Sequence, residues 1–155
     1  MMWDLTVIRA FTQYALIALF TAYAFWRGAG PERIAGAIMS GMVIVDVLYH
    51  LIFPKGGIYD EVDLGHLFND TWVLIAFALL AIRANRIYPI WMLAAQLIAM
   101  TSHLNREVSL EIAEIVYAIM IRVPSYIQLI AFGIGLVAHR RRVLRYGTYR
   151  SWRAS

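Results

Sequence analysis

Two pairs of ionisable residues with the same four-residue spacing lie within apolar segments of the chain. Asp46 and His50 form the first pair, and His66 and Asp70 form the second pair in reversed order. In an α-helix, a spacing of four places both side chains on one face. If the two segments form an antiparallel hairpin, the histidines share one layer and the aspartates share another, about 6 Å deeper. The mirrored spacing therefore predicts one His/Asp cluster.

Further ionisable residues are expected on the same side of the bundle. His103 ends the fourth apolar segment and falls in the histidine layer, and an acidic rim follows it at Glu107, Glu111 and Glu114. Neutral imidazoles and carboxylates are ligands for zinc or iron, and deeper carboxylates can also orient the imidazoles. The predicted cofactor is a transition metal, Zn or Fe, or haem. Its predicted ligands are His50, His66, His103, Asp46 and Asp70.

The same residues admit two other interpretations. In a purely structural one, Asp46 and Asp70 form ion pairs with Arg9 and Arg122, the histidines cap the interface, and no cofactor binds. In the other, Asp46 and Asp70 form a proton or cation path. An unpaired ionisable residue inside a membrane costs several kcal/mol, so each interpretation requires partners for both aspartates.

The composition places the chain in a membrane. It has 155 residues, of which 61% are hydrophobic and 15% are charged, and its mean hydropathy is +0.63. A soluble domain of this length cannot bury so much apolar surface, so a lipid bilayer must cover the remainder. The absence of cysteine excludes disulfides and thiolate metal sites, and aromatic residues at 14% exclude a disordered chain.

Five apolar segments have lengths close to the roughly 20 residues that a helix needs to cross a bilayer. They predict an all-α integral membrane bundle of five transmembrane helices in residues 1–138, followed by a basic cytoplasmic tail in residues 139–155. The predicted spans are about 5–26, 33–53, 62–83, 88–104 and 109–138. The small-residue pair Gly36 and Ser40 is of the kind that permits close helix packing in lipid.

The fifth predicted span is longer than a bilayer requires. Its 30 residues would make a helix of about 45 Å, against a hydrocarbon core of about 30 Å. Pro124 lacks an amide proton and disfavours helix at the residue before it. We therefore expect the fifth helix to be kinked or broken near Pro124, with residues 109–120 at the outer interface.

The distribution of charge predicts the orientation. Of the fourteen basic residues, ten lie in two short connections and near the C-terminus: Arg27, Arg33, Arg83, Arg86, Arg140, Arg141, Arg142, Arg145, Arg150 and Arg153. Nine of the ten acids lie elsewhere, and Glu32 is the exception. By the positive-inside rule, this pattern predicts a cytoplasmic C-terminus and a periplasmic N-terminus, with lipid rather than nucleic acid as the partner of the basic residues.

A family resemblance adds the location. The run from Arg83 to Trp91, together with Ser102-His103-Leu104 and Pro124-Ser125-Tyr126, resembles uncharacterised small polytopic membrane proteins of alphaproteobacteria. The similarity covers about a third of the chain. It implies a bacterial inner membrane and assigns no chemistry and no site residues.

The sequence thus leaves three functional hypotheses. The first is a membrane protein with a periplasmic His/Asp cluster that binds a metal ion or haem-like cofactor. The second is a non-catalytic accessory subunit of a larger membrane complex, and the third is the proton or cation path. No His-Glu-x-x-His sequence, phosphate-binding loop or Gly-x-Ser-x-Gly sequence occurs, so whether the protein is an enzyme stays open.

Overall fold

The fold is a bundle of five α-helices. The computed structural model of the chain describes residues 2–53, 64–108 and 114–153, with side chains described over 7–53, 65–101 and 122–153. The helices are α1 (Met2–Arg27), α2 (Gly30–Ile52), α3 (Leu64–Arg83), α4 (Tyr88–Val108) and α5 (Glu114–Tyr146). Within these ranges there is no β-strand, and the β-type backbone pairing is limited to an isolated bridge between Ala84 and Trp152. The predicted all-helical class is confirmed.

Consecutive helices run in opposite directions. Residues 28–29 connect α1 to α2, and residues 84–87 connect α3 to α4. Because these connections are short, the helices that they join pack antiparallel. Each helix packs on the next, and α5 also packs on α1 and α2, which closes the bundle. We name the two ends by their composition. The histidine end contains residues 46–53 and 64–70, and the arginine end contains residues 27–33, 83–88 and 139–153.

The bundle is apolar outside and partly polar inside. Large apolar side chains lie exposed on its surface, among them Phe11 and Leu19 of α1. Polar side chains are buried within it, among them Asn69, Gln96 and Gln128. A water-soluble bundle shows the opposite distribution, whereas a helical membrane protein buries its polar side chains against one another.

Three helices are long and apolar enough to cross a bilayer. They cover Val7–Arg27, Gly30–Ile52 and Gly65–Arg83, and a shorter apolar helix covers Tyr88–Thr101. These four segments correspond to the first four predicted spans. The membrane character of the protein therefore rests on the first three helices.

Helix α5 differs from the prediction at both Pro124 and its C-terminal end. It runs without interruption from Glu114 to Tyr146, with Pro124 inside it, so the chain is not broken there. The alternative that we predicted, a kink at Pro124, stays a prediction. The helix also continues eight residues past the predicted span, because Ala138 and the arginines that follow are good helix formers.

The register between α2 and α3 differs from the predicted one by about one turn. His66 lies opposite Asp46, and the side-chain amide of Asn69 donates to the carbonyl of Met42 at 3.1 Å. Gly65 sets this register, because the ring of Tyr49 packs where a Cβ atom would lie. Asp70 is consequently about one turn deeper than Asp46, and the two aspartates do not share a layer.

Candidate metal site and polar interior

Three of the predicted ligands meet at the histidine end. Asp46 and His50 lie one turn apart on α2, and His66 lies opposite them on α3. One ligand atom from each of the three side chains lies within 4.8 Å of the other two. The imidazole rings of His50 and His66 are also in edge contact, with centroids 5.1 Å apart. All three side chains are partly exposed, at 29% for Asp46, 37% for His66 and 55% for His50, so an ion can reach them.

A backbone hydrogen bond fixes the tautomer of His50. Its Nδ1 atom lies 2.8 Å from the backbone carbonyl oxygen of Asp46. A carbonyl oxygen only accepts, so Nδ1 carries the proton in this hydrogen bond. In the neutral ring the lone pair then lies on Nε2. This is the second contact that metal-ligating histidines ordinarily make through their other nitrogen.

The spacing of the ligand atoms is close to that of a zinc site. Tetrahedral bonds of about 2.0–2.1 Å put neighbouring ligand atoms about 3.3 Å apart. The Nε2 atom of His66 lies 3.2 Å from Oδ1 of Asp46, and Nδ1 of His50 lies 3.7 Å from the same oxygen. The carboxylate of Asp46 and the imidazole of His66 are therefore already at ligand spacing. Nδ1 of His50 carries the proton of its backbone hydrogen bond, so His50 becomes the third ligand only when its ring turns to offer Nε2 and that bond is given up.

Asp70 joins a different set of side chains, deeper in the bundle. The side-chain amide of Gln96 donates to Oδ1 of Asp70 at 2.9 Å and to its backbone carbonyl at 3.2 Å. The amide of Gln128 in turn donates to Oε1 of Gln96 at 2.6 Å. A chain of hydrogen bonds thus connects α3, α4 and α5, and it directs one amide donor at the carboxylate of Asp70.

A cavity of about 280 Å³ connects the two groups of polar residues. Asp46 and His66 line it toward the histidine end, and Asp70, Gln96 and Gln128 line its deeper part. A cavity with several polar groups on its walls is large enough to hold water. The metal-ligand group and the carboxylate of Asp70 therefore share one polar interior.

The other predicted residues have different positions. Among the described side chains, the ion pairs of Asp46 are with His50 and His66, and no ion pair joins Arg9 or Arg122 to either aspartate. The side chains of His103, Glu107 and Glu114, and all of Glu111, lie outside the described residues. Of the three histidines in the predicted cluster, the structure therefore describes two side chains, those of His50 and His66.

A second buried ionic cluster, which was not predicted from the sequence, lies at the arginine end. Glu32 is fully buried, and its Oε1 accepts a hydrogen bond from Nε of Arg86 at 2.8 Å. Its Oε2 accepts from the backbone N–H of Ala29 at 3.1 Å and lies 3.9 Å from Nδ1 of His139. The same His139 nitrogen is 2.8 Å from the hydroxyl of Tyr149.

The residues after α5 fold back onto this cluster. The backbone N–H of Asn85 donates to the carbonyl oxygen of Ser151 at 3.0 Å. The backbone N–H of Arg153 donates to the carbonyl oxygen of Arg83 at 2.9 Å. The guanidinium of Arg86 lies 4.5 Å from the centre of the Tyr149 ring. The region predicted as a basic tail is therefore held against the α3–α4 connection.

One signal for this cluster was present in the sequence. Glu32 is the one acid among the residues of the basic regions, next to Pro31 at a helix start. A lone carboxylate among arginines has partners available, and a helix N-terminus favours its charge. Its burial, and the choice of Arg86 as partner, follow from packing between α2 and the α3–α4 connection.

Comparison with known proteins gives no relative for this chain. It matches no protein-family model, no curated protein and no solved structure. The functional interpretation therefore rests on the geometry of the site.

Proposed function

We propose that this protein is a bacterial inner-membrane protein that binds one divalent transition-metal ion, zinc in the first instance, at its periplasmic end. The ligands are Asp46, His50 and His66. The observation that carries the proposal is the convergence of their ligand atoms within 4.8 Å. Two imidazoles and one carboxylate are the donor set of many zinc sites.

Three protein ligands leave a coordination position open on the ion. In zinc enzymes, such a position holds water or substrate. The polar cavity beside Asp46 and His66 gives that position room. The site is therefore suited to exchange or activate a ligand of the ion, and less suited to a closed structural role.

An ion without a porphyrin is favoured over haem. The rings of His50 and His66 meet at an interplanar angle of 69° with centroids 5.1 Å apart. Two histidines that ligate haem stand on opposite faces of a flat macrocycle. No macrocycle fits between rings that touch, so zinc or non-haem iron suits this pair better.

Zinc binding by the purified protein tests the proposal. We expect Asp46→Asn and His66→Ala each to weaken zinc affinity by more than about a hundredfold, since even the loss of a residue that only orients a ligand costs about 10–100-fold. Competition against a chromophoric chelator measures the affinity. Asp70→Asn is the matched control, because Asp70 accepts a hydrogen bond from Gln96 deeper in the bundle. The zinc affinity of this variant should equal that of the wild type. Wild-type affinity in Asp46→Asn would refute the proposal.

The orientation and the five-span topology are also part of the proposal. Support comes from α4 and α5, which pack along the three apolar helices, and from the arginines at one end. The chain has no cysteine, so single-cysteine variants report the side directly. Lys55→Cys should react with an impermeant maleimide from the periplasm, and Arg145→Cys from the cytoplasm. The reverse pattern would contradict this orientation.

A proton path is a second candidate, because one cavity connects Asp46 and Asp70. Its walls carry the carboxylates and glutamines that a chain of water molecules requires, and such residues inside a membrane mark proton relays. Proteoliposomes with an entrapped pH dye measure the flux. Under this candidate Asp70→Asn stops proton flux and leaves zinc affinity unchanged, so the two proposals can fail separately.

The accessory-subunit hypothesis stays a prediction. Stoichiometric co-purification of other membrane proteins after mild solubilisation would support it. Purification of this chain alone, with zinc bound, would favour an independent function.

A further inference from the structure

A second cavity, separate from the metal site, lies at the arginine end. It has a volume of about 640 Å³ and lies between the start of α4, the C-terminal half of α5 and the residues that follow α5. This volume is in the range of small-ligand sites. Its walls divide into a cationic part and an apolar part.

The cationic part contains three guanidinium groups. Arg86, Arg142 and Arg153 line the cavity, together with His139 and Tyr149. The single carboxylate in contact with this group is Glu32, among the described residues, and it binds Arg86. The formal charge at this part of the cavity is therefore positive by two. An anion placed here meets charge of the opposite sign and hydrogen-bond donors.

Two buried polar atoms of residues that line the cavity have no partner within the described chain. They are Nη2 of Arg86 and the hydroxyl oxygen of Tyr88, and both residues line the cavity. Arg86 is 8% exposed and Tyr88 is 6% exposed. A buried donor without an acceptor costs about 1–3 kcal/mol. An acceptor oxygen from a bound ligand would satisfy such groups.

The apolar part faces the outside of the bundle. It is lined by Trp91, Ile130 and Ile134, which are 62%, 61% and 62% exposed on the bundle surface. In a membrane protein these side chains meet lipid. A free phosphate ion would contact the arginines and leave this part empty. An occupant with an anionic head and an apolar chain would contact both parts.

We infer that this cavity binds one anionic phospholipid, with its phosphate at Arg86, Arg142 and Arg153 and an acyl chain along Trp91, Ile130 and Ile134. Basic pockets between transmembrane helices on the cytoplasmic side are known to bind anionic headgroups. The residues after α5 complete the pocket, since Tyr149 and Arg153 form one wall. This site is independent of the zinc site at the other end.

Native mass spectrometry of the delipidated protein tests this inference. The probes are phosphatidylglycerol and phosphatidylcholine with identical acyl chains, and inorganic phosphate as competitor. We expect one phosphatidylglycerol to bind, at least about fivefold more tightly than phosphatidylcholine. Inorganic phosphate in excess should not displace it. Equal binding of the two lipids, or displacement by phosphate, overturns the inference.

Substitutions of residues that line the cavity test whether the lipid binds there. Arg142→Ala and Arg153→Ala should each weaken phosphatidylglycerol binding about fivefold, the contribution of one arginine near the surface. Ile127 also lines the cavity, and Ile127→Trp, which fills the apolar part, should weaken binding of both lipids. Arg145→Ala is the matched control, because Arg145 is exposed on the same helix and does not line the cavity. An equal loss in Arg145→Ala, or no loss in the other two arginine variants, overturns the inference. Circular dichroism checks that each variant is folded.

Discussion

The Nε2 atom of His66 lies 3.2 Å from the Oδ1 atom of Asp46, across the interface between α3 and α2. A metal ion that binds both atoms excludes a proton from the space between them. Protons and metal therefore compete for the same lone pairs, since ligands must be deprotonated to bind. This relationship makes the proposed metal site sensitive to pH.

Zinc affinity should fall as the pH is lowered. Once an imidazole of the site is protonated, each further pH unit should cost at least about tenfold in affinity, because a proton must leave for the ion to bind. Chelator competition at a series of pH values measures this. Affinity that does not vary with pH would place the ion elsewhere.

The Glu32–Arg86 ion pair should be essential for stability. Glu32→Gln leaves a buried guanidinium without its counter-charge, and we expect it to lower the free energy of unfolding by about 3–5 kcal/mol. Unfolding in mixed detergent micelles measures the loss. The double variant with Arg86→Met should recover part of it, because no buried charge then remains. Arg33→Ala, at an exposed position on the same helix, should change stability by less than about 0.5 kcal/mol.

Gln128 should contribute through its hydrogen bond to Gln96. Gln128→Leu keeps the side-chain volume but leaves the buried Oε1 of Gln96 without its 2.6 Å donor. We expect a loss of about 1–2 kcal/mol, near the upper limit for hydrogen bonds between membrane helices. Thr71→Val is a control, since its hydroxyl bonds Leu67 within the same helix. Similar losses in both variants would contradict a specific role for the interhelical bond.

Tyr149 should make the arginine end sensitive to alkaline pH. Its pKa is raised above the ordinary value of 10.0, chiefly by desolvation, with Arg86 opposing and Glu32 adding to the shift. The neutral phenol is thus favoured in the folded protein. Its contribution to stability is complete below pH 10 and is lost as the pH rises through the raised pKa.

Thermal unfolding of Tyr149→Phe between pH 8 and pH 11 measures this contribution. The variant should be less stable than the wild type at pH 8, because it lacks the hydroxyl that contacts His139. The difference should shrink above pH 10. Tyr146→Phe, at an exposed position, should match the wild type throughout. A difference that stays constant across the range would assign the effect to packing alone.

The sequence predicted those parts of the structure that depend on helical periodicity. The apolar segments gave the helices, and the four-residue spacing placed Asp46 and His50 on one face. The register across α2 and α3 could not be predicted in the same way. It depends on the contact of Tyr49 with Gly65 and the bond from Asn69 to Met42, which are particular to these side chains.

The sequence predicted that arginines cluster at the arginine end, but it did not predict which of them is buried. The positive-inside rule counts arginines near the ends of spans, and it treats Arg86 like the exposed Arg83. The structure separates them, because Arg86 is buried against Glu32 while Arg83 stays exposed. Which arginine is buried depends on the path of the α3–α4 connection.

The hydrogen bonds that hold residues 150–153 against residues 83–86 join parts of the chain that are made at different times. Asn85 and Arg150 are separated by 65 residues. At a synthesis rate of about 5–20 residues per second, roughly 3–13 s pass between their appearance. During that interval the connection after α3 has no cover from these residues. Completion of the arginine end is therefore a late event in biogenesis, and a chain cut short before Tyr149 would reach the membrane with that end open.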